Sequence, residues 1–151
     1  MSLRPSHAAL VVVSAVFLLA ALTPATVTAS APLSFGPRTD FPAGAAPYSI
    51  VTGDLNGDGK LDLAVLDIDD NAVSVMLGDG FGSFGPRTSF PTGLSSIVLA
   101  IGDLNRDGSL DLAAVLYGEN AVAVLLENGD GTFQPKTNVG TGTSPVGVAI
   151  G

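Results

Sequence analysis

Asp54-Leu-Asn-Gly-Asp-Gly-Lys-Leu-Asp62 returns, 49 residues later and without a gap, as Asp103-Leu-Asn-Arg-Asp-Gly-Ser-Leu-Asp111. In each copy oxygen-bearing side chains stand at positions 1, 3, 5 and 9, and glycine stands at position 6. Alternate residues of a tightly curled loop aim their side chains inward, and glycine takes the backbone conformation that closes the curl. Hard cations such as Ca²⁺ take about six to eight oxygens at about 2.3–2.6 Å. The first loop therefore offers Asp54, Asn56, Asp58 and Asp62 with the backbone carbonyl of Lys60. The second offers Asp103, Asn105, Asp107 and Asp111 with the carbonyl of Ser109. The expected cofactor is calcium, about two ions per chain. Asn-Gly and Asp-Gly also make hairpin turns, but a turn needs no aspartate at position 9, still less two in register. These loops are not EF-hands, which require a bidentate glutamate at position 12 and flanking helices. Position 12 is Val65 in one copy and Ala114 in the other. Short apolar runs follow each loop and read as buried strands.

The 49-residue offset extends beyond the loops. Phe35-Gly-Pro-Arg-Thr-Asp-Phe-Pro-Ala-Gly44 matches residues 84–93 and then residues 133–142, and Asn71-Ala-Val-Ser-Val-Met-Leu77 matches Asn120-Ala-Val-Ala-Val-Leu-Leu126. A fixed period in this range points to a propeller, solenoid or array. One period reads as four strands: A at Ser49–Gly53, B at Leu61–Leu66, C at Ala72–Leu77 and D at Phe84–Phe90. The second copy gives A at Val98–Gly102, B at Leu110–Tyr117, C at Ala121–Leu126 and D at Phe133–Asn138. Four strands in about 40–50 residues is the size of a propeller blade. Ala121-Val-Ala-Val-Leu-Leu126 shows no apolar–polar alternation, as expected of a strand covered on both faces. A β-sandwich is the competing architecture.

The N-terminus reads as an address. Arg4 precedes an apolar run from Ala8 to Leu22, and Val27-Thr28-Ala29 and Ala29-Ser30-Ala31 both fit a small-x-small cleavage site. Cleavage after Ala29 is preferred, because cutting after Ala31 would place Pro32 beyond the scissile bond. An uncleaved anchor is the alternative, although the run is short of the about 20 residues that a span requires. The organisation expected is a signal peptide at 1–29, then repeats at about 45–93 and 94–142 within 30–151. Beyond the leader, fourteen acids face five basic residues, a net charge of −9. That balance disfavours a nucleic-acid partner, which needs a clustered basic surface. The chain has no cysteine, so any stapling must come from metal.

Gly53-Asp-Leu-Asn-Gly-Asp-Gly-Lys-Leu-Asp-Leu-Ala64, its copy at 102–113, and Leu125-Leu-Glu-Asn-Gly-Asp-Gly-Thr-Phe133 resemble the FG-GAP/VCBS repeat family, the integrin-α-type β-propeller repeat. The resemblance covers essentially everything after the leader. It implies an all-β fold of two four-stranded antiparallel blades plus flanking single strands, an incomplete propeller, since such rings close with about seven blades. It also implies calcium in the two loops. Family members are commonly secreted or cell-surface proteins that bind proteins or glycans, or propellers attached to larger exported enzymes. The reading is thus a secreted calcium-binding module acting in binding or structure, not an enzyme. The alternative is an accessory propeller of a larger exported enzyme. Partners are expected among extracellular proteins or glycans, with no membrane span after leader cleavage, and with self-association or additional blades.

Catalytic chemistry is sparse. The only histidine is His7, within the leader, so Ser–His–Asp and Cys–His systems and common zinc sites are excluded from the mature chain. An independent hydrolase could use carboxylates alone, but the loops claim most aspartates. Asp67, Asp69 and Asp70 read as a solvated turn, Tyr48 and Tyr117 as core residues, and Asp130 as an accessory cation contact at most.

Overall fold

A computed structural model describes residues 36–151, so the leader expected at 1–29 lies outside the described residues. Every strand among the described residues belongs to one compact unit, Thr39–Gly151. The elements are β1 (Pro47–Gly53), β2 (Asp62–Asp67), β3 (Ala72–Met76), β4 (Thr88–Pro91), β5 (Ser96–Gly102), β6 (Asp111–Leu116), β7 (Ala121–Leu125) and β8 (Thr137–Gly140). They form two antiparallel four-stranded sheets, ordered β1-β2-β3-β4 and β5-β6-β7-β8. Each is a meander, and each strand answers to one expected from the repeat.

Register shows how the sheets meet. Residues directly opposite across a ladder share a face. In the first sheet Val51, Ala64, Leu66, Val73, Val75 and Phe90 lie on one face, and all of them join the core. In the second sheet Leu99, Leu112, Ala114, Leu116, Ala121 and Ala123 share a face and complete that core. Shifted back by 49, these positions fall at Ile50, Leu63, Val65, Asp67, Ala72 and Ser74, on the opposite face of the first sheet. The sheets therefore stack front to back, by repetition of one operation. A two-fold sandwich would bury equivalent faces, so the propeller reading is the correct one.

The stacking is close. Gly53 lies beneath the side chains of Ile101 and Leu110, where an added Cβ would sit 2.7 Å from Ile101 Cδ1. Gly102 lies beneath Ile150 in the same way, at 2.6 Å from Cγ2. Phe90 meets Phe133 edge to face at 5.2 Å, and the in-register pair Phe41 and Phe84 does so at 5.1 Å.

Three details differ from expectation. The D strands begin late: Phe84 and Phe133 make only isolated bridges to Gly78 and Glu127, and Pro86 and Pro135 then supply no N–H to continue a ladder. The flanking segments at 36–46 and 141–151 are not strands, because neither is paired with a neighbouring strand among the described residues. Finally, β7 does alternate: Ala121, Ala123 and Leu125 are buried while Val122 and Val124 are half-buried. The outer face of that blade is only partly covered.

Candidate functional site

Both loops span the β1–β2 or β5–β6 connection, at one end of each blade. Their curl comes from side-chain oxygens that accept the loop's own N–H groups. Asp54 Oδ1 accepts from Asp58 N at 3.0 Å and Oδ2 from Gly59 N at 2.8 Å. Asn56 Oδ1 accepts from Asp58 N, and Asp58 Oδ1 from Lys60 N. The second loop repeats this pattern. Asp103 accepts from Arg106 N, Asp107 N and Gly108 N, Asn105 from Asp107 N, and Asp107 from Ser109 N. Positions 4 and 6 require left-handed backbone. Gly57 and Gly59 provide it at φ 72° and 81°, whereas Arg106 must adopt φ 65° at a position where the first loop has glycine.

Position 9 does something different. Asp62 and Asp111 are fully buried. Asp62 Oδ2 accepts from Leu55 N at 2.8 Å, and Oδ1 accepts from Gly78 N at 2.7 Å. Asp111 repeats both bonds with Leu104 N and Glu127 N, each at 2.9 Å. One carboxylate thus ties the loop to the connection that follows the next strand but one.

Two loop carboxyls are held below the ordinary carboxylate range. For Asp58 the chief cause is the Lys60 ammonium, whose Nζ lies 2.9 Å from Oδ2, and Lys60 is raised in turn. For Asp107 the chief cause is the Ser109 N–H. The ionised form needed by a metal is already favoured at these two positions.

Each loop brings three carboxylates, one amide and one carbonyl, the donor set of a hard cation. A carboxylate oxygen that accepts one N–H keeps a second lone pair, so the internal bonds leave donor capacity. Among the described residues, however, no group of three or more acidic side chains is gathered as a metal centre. The loops are closed by their own N–H groups. A cation would be held by Asp54, Asn56, Asp58, Asp62 and the Lys60 carbonyl, and by Asp103, Asn105, Asp107, Asp111 and the Ser109 carbonyl.

Several polar features lay beyond the sequence reading. Asp70 accepts from Ala45 N at 3.0 Å and pairs with Arg87 at 3.2 Å. The equivalent Glu119 accepts from Leu94 N at 2.8 Å and pairs with Lys136 at 3.8 Å. The 49-residue offset of both acid and cation was the available signal. The turn acids are not uniformly solvated: Asp67 is fully buried, hydrogen-bonded to Ser74 and 3.9 Å from Arg87. Its Oδ1 has no hydrogen-bond partner among the described residues. The signal available was its equivalent in the second repeat, the apolar Leu116. Tyr48 and Tyr117 are exposed and not core residues. Asp130 is engaged by Thr132, through N at 2.9 Å and Oγ1 at 2.6 Å. Buried Glu127 accepts from Gly129 N, Asp130 N and Gly131 N, and so organises its own loop.

Residues 28–65, 54–114 and 103–151 each match the family model described as FG-GAP-like repeat. The chain belongs to the FG-GAP-like repeat family. Successive matches overlap across each loop, so Asp54–Asp62 and Asp103–Asp111 fall where one matched segment runs into the next. No curated protein and no solved structure matches the chain. The structural repeat among the described residues is one four-stranded blade with its β1–β2-type loop, present twice.

Proposed function

We propose that this FG-GAP-like repeat protein is a calcium-stabilised extracellular module that serves binding or structure rather than catalysis. The observation that carries the reading is the doubling, in register, of a loop with oxygens at positions 1, 3, 5 and 9. The family assignment and the two stacked blades support it. Calcium would hold each loop against the blade beneath it, and the loops and exposed rims would meet extracellular proteins or glycans. Extracellular modules of this kind bind at about 10⁻⁴–10⁻³ M. Export rests on the leader, so secreted protein should begin at Ser30 by N-terminal sequencing.

Calorimetric titration with calcium tests the site. About two ions per chain are expected, with one lost in Asp58→Ala or in Asp107→Ala. Unchanged stoichiometry in both variants would reject the ligand assignment.

A further inference from the structure

Asn-Gly occurs twice in the chain, at Asn56-Gly57 in the first loop and at Asn128-Gly129 in the 127–133 connection. A glycine after asparagine has no side chain to shield its peptide nitrogen, which can then attack the asparagine amide carbon. What holds the two groups decides whether it does, and the fold treats the two pairs differently. Gly129 N donates to Glu127 Oε2 at 2.5 Å, and the Asn128 amide donates to Thr132 Oγ1 at 2.9 Å. Buried Glu127 thus ties down the attacking nitrogen, and Thr132 ties down the group under attack.

Neither restraint acts at Asn56-Gly57. Gly57 N and Asn56 Nδ2 donate to nothing among the described residues. Gly57 is exposed at φ 72°, and nothing lies within 4 Å of the place a Cβ would take. Asn56 Oδ1 accepts from Asp58 N at 3.1 Å, which folds the side-chain amide back over the Gly57 peptide and draws electrons from its carbon. The second loop supplies the contrast. Asn105 makes the same bond, with Asp107 N at 2.9 Å, but Arg106 follows it and Arg106 N is held by Asp103 Oδ1 at 2.6 Å. Asn105 Nδ2 is held too, by Asp107 Oδ2 at 2.7 Å. The loops share their donors and spacing and differ at this one nitrogen.

We propose that Asn56-Gly57 is a self-modification site of the folded chain, at which Asn56 deamidates. Gly57 N bonds to Asn56 Cγ, the Gly57 proton leaves with Nδ2 as ammonia, and a succinimide ring closes. Water then opens the ring, at Cγ to give aspartate or at the backbone carbonyl to give isoaspartate. One water enters, one ammonia leaves, and no other reactant is needed. Aspartate adds a fourth carboxylate to Asp54, Asp58 and Asp62, whereas isoaspartate lengthens the loop backbone by a methylene. The second loop keeps its amide, so two loops alike when made diverge with age. The consequence for cation binding rests on the calcium reading, but the modification itself does not.

The test ages the full chain, folded and in chelator, in heavy-oxygen water at neutral pH. Chelator keeps the outcome separate from the calcium reading. Tryptic cuts after Lys60 and Arg106 leave Asn56, Asn105 and Asn128 in separate peptides, in which mass spectrometry counts the heavy oxygen gained. Asn56 should convert at least about ten-fold faster than Asn128, whose glycine N–H must first be freed from a charged acceptor. Asn105 should stay intact. In denaturant, where those bonds are gone, Asn56 and Asn128 should convert alike. Gly57→Arg, which gives position 4 the residue that the second loop accommodates at φ 65°, should keep Asn56 intact with an unchanged circular dichroism spectrum. Equal conversion of Asn56 and Asn128 in the folded protein would overturn the proposal. So would an Asn56 that stays intact in the folded wild type, or one that converts at the wild-type rate in Gly57→Arg.

Discussion

Asp62→Ala should destabilise the protein even when no metal is available. Asp62 is fully buried and accepts two backbone N–H groups, from Leu55 at 2.8 Å and Gly78 at 2.7 Å. Alanine leaves both donors without their acceptor, and a buried unsatisfied donor costs about 1–3 kcal/mol. Removing a buried charge returns part of that, because its desolvation is no longer required. A net loss of about 3 kcal/mol follows for the pair, a fall of about 12 °C in melting temperature at about 4 °C per kcal/mol for a domain this size. Calcium at ten times its Kd would add about 1.4 kcal/mol to wild type and nothing to a variant that had lost the site. The assay is a set of thermal melts of wild type, Asp62→Ala and Asp58→Ala, each with chelator and with calcium. In chelator Asp62→Ala should fall by the full amount, whereas Asp58→Ala, losing an exposed pair with Lys60, should change little. In calcium both should fall further behind wild type. Asp111→Ala should lose less than Asp62→Ala, because it repeats the same two bonds but Leu104 is 39% exposed and its N–H can turn to water. A loss in chelator of under 1 kcal/mol at both positions would refute the idea that position 9 staples the blade.

Arg106→Gly should stabilise by about 1 kcal/mol, since the left-handed conformation at φ 65° is costly for a side-chain-bearing residue and free for glycine; denaturant melts read this directly. Gly59→Ala should lose about 1–2 kcal/mol through conformation alone, because nothing lies within 4 Å of the added Cβ. Chelation should lower the melting temperature of wild type, and magnesium should restore little, because it demands a tighter octahedral shell. Acid should unfold the protein before neutral pH affects it. The carboxyls of Asp58, Asp70, Asp79, Asp107, Glu119 and Asp130 all lie below their ordinary values in the fold. Their contribution is complete above the unfolded carboxylate pKa of about 4 and is lost as pH falls through the folded values. No histidine follows His7, so a pH series on residues beyond it should be flat near about 6.5, and a transition there would contradict this account.

The repeat, read from residue identities alone, determined most of the architecture. A 49-residue offset with four apolar runs per period specified eight strands in two meanders, because each run is short, β-rich and bounded by turn residues. The oxygen-bearing residues of each loop and their spacing were also legible, since both are local properties of the chain. The choice between sandwich and propeller needed the tertiary structure. Which face of a strand meets which neighbour depends on register and stacking, and runs that are apolar on both faces carry no label for front or back. Tertiary contact also decided the roles of single polar residues. Local sequence puts Asp62 in a strand and Asp58 in the loop, but it does not reveal that Asp62 is a buried staple between two connections while Asp58 is exposed beside Lys60. Nor does local sequence reveal that Asp67 is buried with Ser74 while the adjacent turn stays wet. Burial depends on what the rest of the chain places overhead, and that is set only when the blades are stacked.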